Sequence, residues 1–299
     1  MRANALGSLQ RLYRLGRRLR RARRGRRQRG RGVEFAGRRP YVSGDDPRRI
    51  DWTVYLRLER LVVRLVEELP EPVLSLVLDG SGSMTCGDPS LFEASRRLAA
   101  AVGAFSMGRG ATVRLLTGTG LDSGANFRGE AQLVSLLDAC LGLPGRPGDD
   151  LSGAVARLAG QRHRQVVVLG DGLSPGLVDR LAELRHAGHD PYYLLVHPPR
   201  EWAMQLQDLA LRAGRVVFVD AETGERREEV SGAELWAQAS AARERALTEL
   251  IESLDRARLA WAQAGAGAEL EEVIRGILGE AFTAAPRARG LRSLGESFC

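Results

Sequence analysis

Apolar and polar positions along the chain fall into two alternating patterns. Short, nearly unbroken apolar runs recur at Val73–Leu78, Thr112–Leu116, Gln165–Leu169, Tyr192–Val196 and Val216–Val219. These runs predict strands, and Val73–Leu78 and Gln165–Leu169 read as buried ones, the first on both faces. Between them, apolar residues return at the spacing of amphipathic helices. These segments are Leu91–Met107 (Phe92, Ala94, Leu98, Ala101, Val102, Phe105), Glu130–Leu141 (Leu133, Leu136, Leu137, Cys140), Leu151–Leu158, Leu177–Arg185 and Trp202–Leu211. Strands alternating with helices predict an α/β fold, a mostly parallel sheet with helices on both faces. Ser231-Gly232-Ala233-Glu234 has the form of a capping box. It opens a long helix with Leu247, Leu250, Ile251 and Leu254 on one face, followed by a shorter helix, Leu270–Phe282. Both read as C-terminal packing helices, and residues 283–299 as a loose tail.

Upstream of the first buried run the pattern changes. Leu61–Val66 predicts a strand, Ile50–Leu58 fits either helix or strand, and Ser43-Gly44-Asp45-Asp46-Pro47 is a turn by composition. Residues 33–72 are dense in opposite charges: Asp45, Asp46, Arg48, Arg49, Asp51, Arg57, Arg64, Glu67 and Glu68. No nucleophile or histidine sits among them, so they read as an internal salt-bridge and hydrogen-bond network rather than as an active site. Residues 1–32 hold thirteen arginines and no acidic residue; the chain's +7 less these thirteen leaves −6 on residues 33–299. The basicity therefore belongs to an N-terminal arm. If Leu6–Arg23 is helical, Leu9, Leu12, Leu19 and Tyr13 fall near one face. Such a segment can dock on nucleic acid, an anionic membrane or an acidic partner, and the plain alternative is a solvated arm. Aromatic residues for base stacking are nearly absent from it, which argues against single-strand recognition.

Composition then narrows the chemistry. Every basic residue apart from the four histidines is arginine. Without lysine, a Walker A loop and a Schiff-base mechanism are excluded. Cys86, Cys140 and Cys299 are far apart and odd in number, which suggests neither a disulfide framework nor a zinc site and fits a reducing cytoplasm. His163, His186, His189 and His197 show no ligand spacing. No apolar run approaches membrane-spanning length, so the expectation is a cytoplasmic protein, peripheral at a membrane at most.

The first buried run ends in Asp79-Gly80-Ser81-Gly82-Ser83-Met84. In parallel α/β sheets ligands bind beyond the carboxyl ends of strands. One carboxylate and two hydroxyls arrive there on a glycine-rich turn, and such hard oxygens suit Mg²⁺ or a similar divalent cation. The alternative has Asp79 and Ser81 merely cap the next helix. A nucleophilic Asp79 in a metal-dependent phosphatase or phosphotransferase is a further alternative. It is weakened by Ser81 in place of a second aspartate and by the absence of lysine.

Asp79-x-Ser81-x-Ser83-Met84 resembles the metal-ion-dependent adhesion site of von Willebrand factor A domains, which are Rossmann-like α/β modules. Together with Phe35, Arg39, Tyr41, Gly44-Asp45-Asp46, Arg48, Ile50-Asp51-Trp52, Arg57, Val63 and Glu67-Glu68, it makes the chain similar to the bacterial family called domain of unknown function 58. Weaker similarity reaches Asp220-x-Glu222-Thr223-Gly224. The resemblance implies a von Willebrand A-like domain over 73–230, preceded by the family-specific segment 33–72 and the arm 1–32, and followed by helices over 231–282. It also implies a non-enzymatic interaction module, a partner of a MoxR-type AAA+ ATPase acting on a client protein. The implied metal ligands are Asp79, Ser81, Ser83, Asp171 after a later strand, and a threonine from a loop before a helix. Gly148-Asp149-Asp150-Leu151 puts Asp149 where that threonine belongs. Three carboxylates would leave a divalent site at −1 and blunt its capture of an acidic partner residue; alternatively, Asp149 lies off the site and metal binding is degraded.

Overall fold

A computed structural model of the chain describes residues 2–26, 33–68, 72–87, 89–118, 125–161, 165–198, 208, 212, 215–230, 233–268, 270, 273 and 274. The chain divides into two compact units, Leu19–Glu71 and a larger one made of Met1–Arg18 with Pro72–Cys299.

The elements in chain order are helix α1 (Arg2–Arg26), strand β1 (Val33–Pro40), helix α2 (Trp52–Leu58), strands β2 (Val62–Glu68) and β3 (Val73–Leu78), helices α3 (Gly82–Thr85) and α4 (Leu91–Gly108), and strand β4 (Thr112–Thr117). Helices α5 (Leu133–Gly142) and α6 (Leu151–Leu158), strand β5 (Gln165–Gly170), helix α7 (Leu177–His186) and strand β6 (Asp190–His197) follow. Strands β7 (Arg215–Val219) and β8 (Arg226–Val230), helix α8 (Ala233–Arg256) and strand β9 (Ala260–Gly265) complete the described elements.

The larger unit is the expected α/β fold: a five-stranded sheet in the order β4-β3-β5-β6-β9, with every pairing parallel. Strand β3 shows why its apolar run is nearly continuous. Leu74, Leu76 and Leu78 face a core shared with α1, α4 and α5. Val77 faces the other core, with Leu151, Val155 and Leu158 of α6 and Leu177, Leu181 and Leu184 of α7. Both faces of the sheet are covered, as parallel sheets require.

Four features differ from the sequence expectation. Strand β7, expected in the parallel sheet, pairs instead with β8 in a separate, exposed antiparallel hairpin. Strand β9 was missed inside the C-terminal region read as helices. Its AWAQAG sequence carries none of the β-branched residues that mark a strand, and parallel pairing with β6, from Tyr192↔Ala260 to His197↔Gly265, makes it one. Strand β1 was missed because it is interrupted by Gly37, where its antiparallel register with β2 shifts. The basic segment is not merely a solvated arm. Leu9 and Leu12 of α1 are about 1% exposed and Tyr13 is buried, so this part of the aligned face enters the core, whereas Leu19 stays exposed. The expected Trp202–Leu211 and Leu270–Phe282 helices, Ser231 of the capping box, His163, Cys299 and the tail lie wholly or mainly outside the described residues.

The smaller unit realises its charge density as a network. Asp45 takes two bonds from the Arg39 guanidinium, at 2.7 and 2.5 Å, and the Val42 N–H at 3.0 Å. The Arg39 contact, joined by the Val42 N–H, holds the Asp45 carboxyl below its ordinary range. Asp46 caps the short 3-10 turn Pro47–Arg49 by accepting the Arg48 N–H. Asp51, 2% exposed, accepts from Arg38 Nε at 3.0 Å. Three aspartates of the Gly-Asp-Asp…Ile-Asp-Trp stretch are thus engaged in holding a loop and hairpin together.

Helices α1 and α4 meet through glycine. A Cβ on Gly16 would lie 2.2 Å from the Phe105 carbonyl oxygen, and one on Gly108 would lie 2.1 Å from that of Tyr13. Gly108→Ala must push the helices apart, at an expected cost of about 1–3 kcal/mol. Arg18→Ala, on the exposed face of α1, should change stability by less than about 0.5 kcal/mol. Thermal unfolding followed by circular dichroism checks both; an unchanged midpoint for Gly108→Ala would contradict the docked helix.

Candidate metal centre

Strand β3 has β4 on one side and β5 on the other. The chain leaves β3 in one direction and returns on the opposite side, which opens a crevice beyond the carboxyl ends of β3 and β5, where doubly wound sheets bind ligands. Asp79 follows β3 and Asp171 follows β5. The ladder between the two strands extends to Asp79, whose N–H donates to the Leu169 carbonyl at 2.9 Å.

The Asp79 side chain is 0% exposed. Its Oδ1 accepts the Ser81 N–H at 3.0 Å and its Oδ2 accepts the Ser174 hydroxyl at 3.2 Å. Burial pushes the carboxyl up to about 6, and the nearby Asp171 charge adds to the rise against the hydrogen bonds from Ser81 and Ser174. Gly170 makes this packing possible. A Cβ there would sit 2.9 Å from Asp79 Oδ2 and 3.2 Å from the Tyr193 hydroxyl. Burial, followed by the charges of Asp171 and Asp79, drives that hydroxyl well above its ordinary range. The Tyr193 hydroxyl and the Asp79 carboxylate thus both pack against Gly170.

Ser81 and Ser83 complete the group, their hydroxyl oxygens 3.1 Å apart. Ser81 heads the four-residue helix α3 without capping it through its side chain. The cap of α4 is Ser90, whose hydroxyl accepts the Glu93 N–H at 3.1 Å. Capping thus does not account for the Asp-x-Ser-x-Ser stretch. Asp171 is half-buried, and its Oδ1 accepts the Leu173 N–H at 3.0 Å. Among the described residues no three His, Cys, Asp or Glu side chains gather as a metal cluster. A cation in this crevice would be held by two carboxylates and two hydroxyls, a hard-oxygen set whose chemistry fits Mg²⁺.

Asp149 is engaged differently. Its Oδ2 accepts the N–H groups of Gly80 and Gly118, each at 2.9 Å. A Cβ on either glycine would fall within 2.7 Å of the same carboxylate. The Arg146 N–H returns a bond to the Gly80 carbonyl at 2.7 Å. Asp149 therefore braces the loops after β3 and β4, while Asp150 caps α6 through the Gly153 N–H at 2.8 Å.

Sequence reasoning did not assign a role to Glu222. It sits on the turn between β7 and β8, a two-stranded antiparallel hairpin separate from the main sheet. Asp220 Oδ1 accepts the Glu222 and Thr223 N–H groups at 2.8 Å, and Gly224 closes the turn at φ +71°. Glu222 Oε1 accepts the Ser83 N–H at 3.0 Å and its Oε2 accepts the Gly148 N–H at 2.9 Å. Partial burial opposes its ionisation, but the Gly148, Ser83 and Gly82 N–H groups together hold it below the ordinary carboxylate range. The available signal was the Asp220-x-Glu222-Thr223-Gly224 stretch.

A family model described as "Protein of unknown function DUF58" matches residues 37–246. The chain belongs to the DUF58 family. No curated protein matches it. Two solved structures of the pilus adhesin SpaC from Lactobacillus rhamnosus GG are similar at 11% identity. One, in the open conformation, covers 72% of this chain and 30% of the adhesin at a TM-score of 0.39. The other covers 44% and 25% at 0.35. The DUF58 chain thus spans less than a third of the adhesin's length.

The raised Asp79 carboxyl sets a pH dependence for this DUF58 protein without metal. Folded Asp79 holds its proton up to about 6, whereas the ordinary value is 3.8. The associated stability is present below pH 3.8 and is lost as pH rises through about 6. A shift of this size corresponds to about 3 kcal/mol. In EDTA, Asp79→Asn should be more stable than wild type at pH 7.5, with the difference shrinking toward pH 4. Denaturant unfolding at the two pH values measures it. A wild-type protein favoured at pH 7.5 would contradict the buried, metal-free carboxylate.

Proposed function

We propose that the chain is a non-enzymatic protein-interaction module that binds a divalent cation, Mg²⁺ by choice of donors, through Asp79, Ser81, Ser83 and Asp171. By resemblance it works in the cytoplasm as a partner of a MoxR-type AAA+ ATPase, presenting a client protein to it. The observation that carries this reading is the meeting of two strand-end aspartates and a pair of serine hydroxyls at the β3/β5 crevice. Asp149, with Oδ2 engaged by two backbone N–H groups, is a brace in this reading and not a ligand.

The alternative of a nucleophilic Asp79 is disfavoured by its environment. A fully buried carboxyl that accepts hydrogen bonds at both oxygens is poorly placed to attack a phosphoryl group. A second role is supported by α1, whose Arg11, Arg14, Arg17, Arg18 and Arg21 are exposed while Leu9, Leu12 and Tyr13 are buried. This basic face is suited to an acidic surface, nucleic acid or anionic membrane, as a tether. Among the described residues no helix is long and apolar enough to cross a membrane.

The test uses the purified protein and the MoxR-type AAA+ ATPase of its source organism in a co-elution assay. Wild type should co-elute with the ATPase in Mg²⁺, and Asp79→Ala should not. The variant in Mg²⁺ is the deciding arm, because EDTA would also disable the ATPase. Equal co-elution of both proteins would remove the metal site from the interaction, and no co-elution of wild type would remove the ATPase.

A further inference from the structure

The β7–β8 hairpin touches the candidate site with its tip. Ala221 and Glu222 lie against the Gly82–Ser83 backbone. A Cβ on Gly82 would come within 2.0 Å of the Ala221 carbonyl oxygen, so glycine there admits the hairpin tip. The Glu222 carboxylate is anchored at 2.9–3.0 Å on the backbone N–H groups of Ser83 and Gly148. Its turn is rigid: Asp220 accepts two N–H groups within it, Gly224 N–H returns to the Asp220 carbonyl at 2.8 Å, and the Thr223 hydroxyl accepts the Glu225 N–H at 3.2 Å. The strands behind this tip are poorly buried, with Val217, Phe218 and Val219 at 58%, 46% and 55% exposure. A preorganised acidic tip is thus carried on a hairpin with little anchorage in the core.

We propose that this hairpin is a latch, with Glu222 holding the approach to the Asp79–Ser81–Ser83–Asp171 group that an acidic side chain of a protein partner would use. The inference rests on the metal-site reading for its partner and on the Glu222 contacts for the latch. Ser83 joins the two: its hydroxyl belongs to the proposed ligand set, and its N–H is held by Glu222. A partner carboxylate reaching a cation beside Ser83 must displace the chain's own carboxylate first. The occupied state is an intramolecular one, favoured by the high effective concentration of a tethered group. Engagement therefore requires a partner acid that is itself well placed, and the hairpin lifts when it arrives.

The test is made on the full chain. Amide exchange at Ser83 and Gly148, and along residues 215–230, should accelerate by roughly tenfold or more in both Glu222→Gln and Glu222→Ala, while β3 and β5 amides keep their wild-type rates. A synthetic peptide of residues 217–226, VFVDAETGER, should then bind Glu222→Ala in Mg²⁺ but not wild type, and a peptide with alanine replacing its Glu222 should bind neither. Unchanged exchange at Ser83 and Gly148 would overturn the latch, as would equal peptide binding to wild type and variant, or no peptide binding to the variant. Titration with Mn²⁺ alone separates the two readings. If neither wild type nor Glu222→Ala binds Mn²⁺ while exchange behaves as expected, the metal site fails and the latch stands. If both bind Mn²⁺ and exchange is unchanged, the metal site stands and the latch fails.

Discussion

A carboxylate at the end of a central parallel strand is the constraint from which this end of the molecule is built. Asp79 is carried to full burial by β3, whose leucines face one core and whose valine faces the other. An ionised group there needs donors or a cation, because desolvation disfavours its charge. The chain supplies the hydroxyl and backbone N–H of Ser81 and the hydroxyl of Ser174. It then brings a second carboxylate, Asp171, close enough to make the charge less favourable still. A divalent ion beside the two carboxylates would offset this repulsion, which is the physical argument behind the proposed metal site.

The other acidic residues around the crevice solve the same problem by a different route. Asp149, through Oδ2, and Glu222, through both oxygens, accept main-chain N–H groups from Gly80, Gly118, Ser83 and Gly148. Glycines dominate this set because a side chain at Gly80 or Gly118 would collide with the Asp149 carboxylate. Acidic residues near the site thus divide by role. Asp79 and Asp171 face the crevice with the serines, Asp149 ties two loops, Asp150 caps a helix, and Glu222 closes over Ser83 from the hairpin. A positional match of Asp149 to a threonine suggests a third carboxylate ligand, and its Oδ2 is bonded to the Gly80 and Gly118 N–H groups.

The strand and helix order from β3 to β6 was legible because burial on both sheet faces writes uninterrupted apolar runs, and helices on those faces write three- and four-residue spacing; the placement of β7 was not, since its apolar run lies exposed in a separate hairpin. Strand β9 escaped because its AWAQAG sequence owes its conformation to pairing with β6 rather than to local preference. Helix α1 was half legible: spacing aligned Leu9, Leu12 and Tyr13, but the arginine run suggested solvent, and only the Gly16 and Gly108 contacts explain how closely it docks. That Asp79, Ser81 and Ser83 share one turn was legible because they alternate within five residues, and the position of Asp171 because it follows a buried strand. The Asp220-x-Glu222-Thr223-Gly224 stretch marked the turn that carries Glu222, but its bond to Ser83, 139 residues away, could not be read, since no local pattern records a tertiary hydrogen bond.

The central claim is that a cation binds at the β3/β5 crevice through Asp79, Ser81, Ser83 and Asp171. Anomalous diffraction from crystals grown with Mn²⁺ tests it most directly. The account predicts one anomalous peak within bonding distance of oxygens from those four residues, with Asp149 still bonded to Gly80 and Gly118. A crevice without a peak, or an ion coordinated by Asp149 in place of Asp79 and the serines, would contradict it.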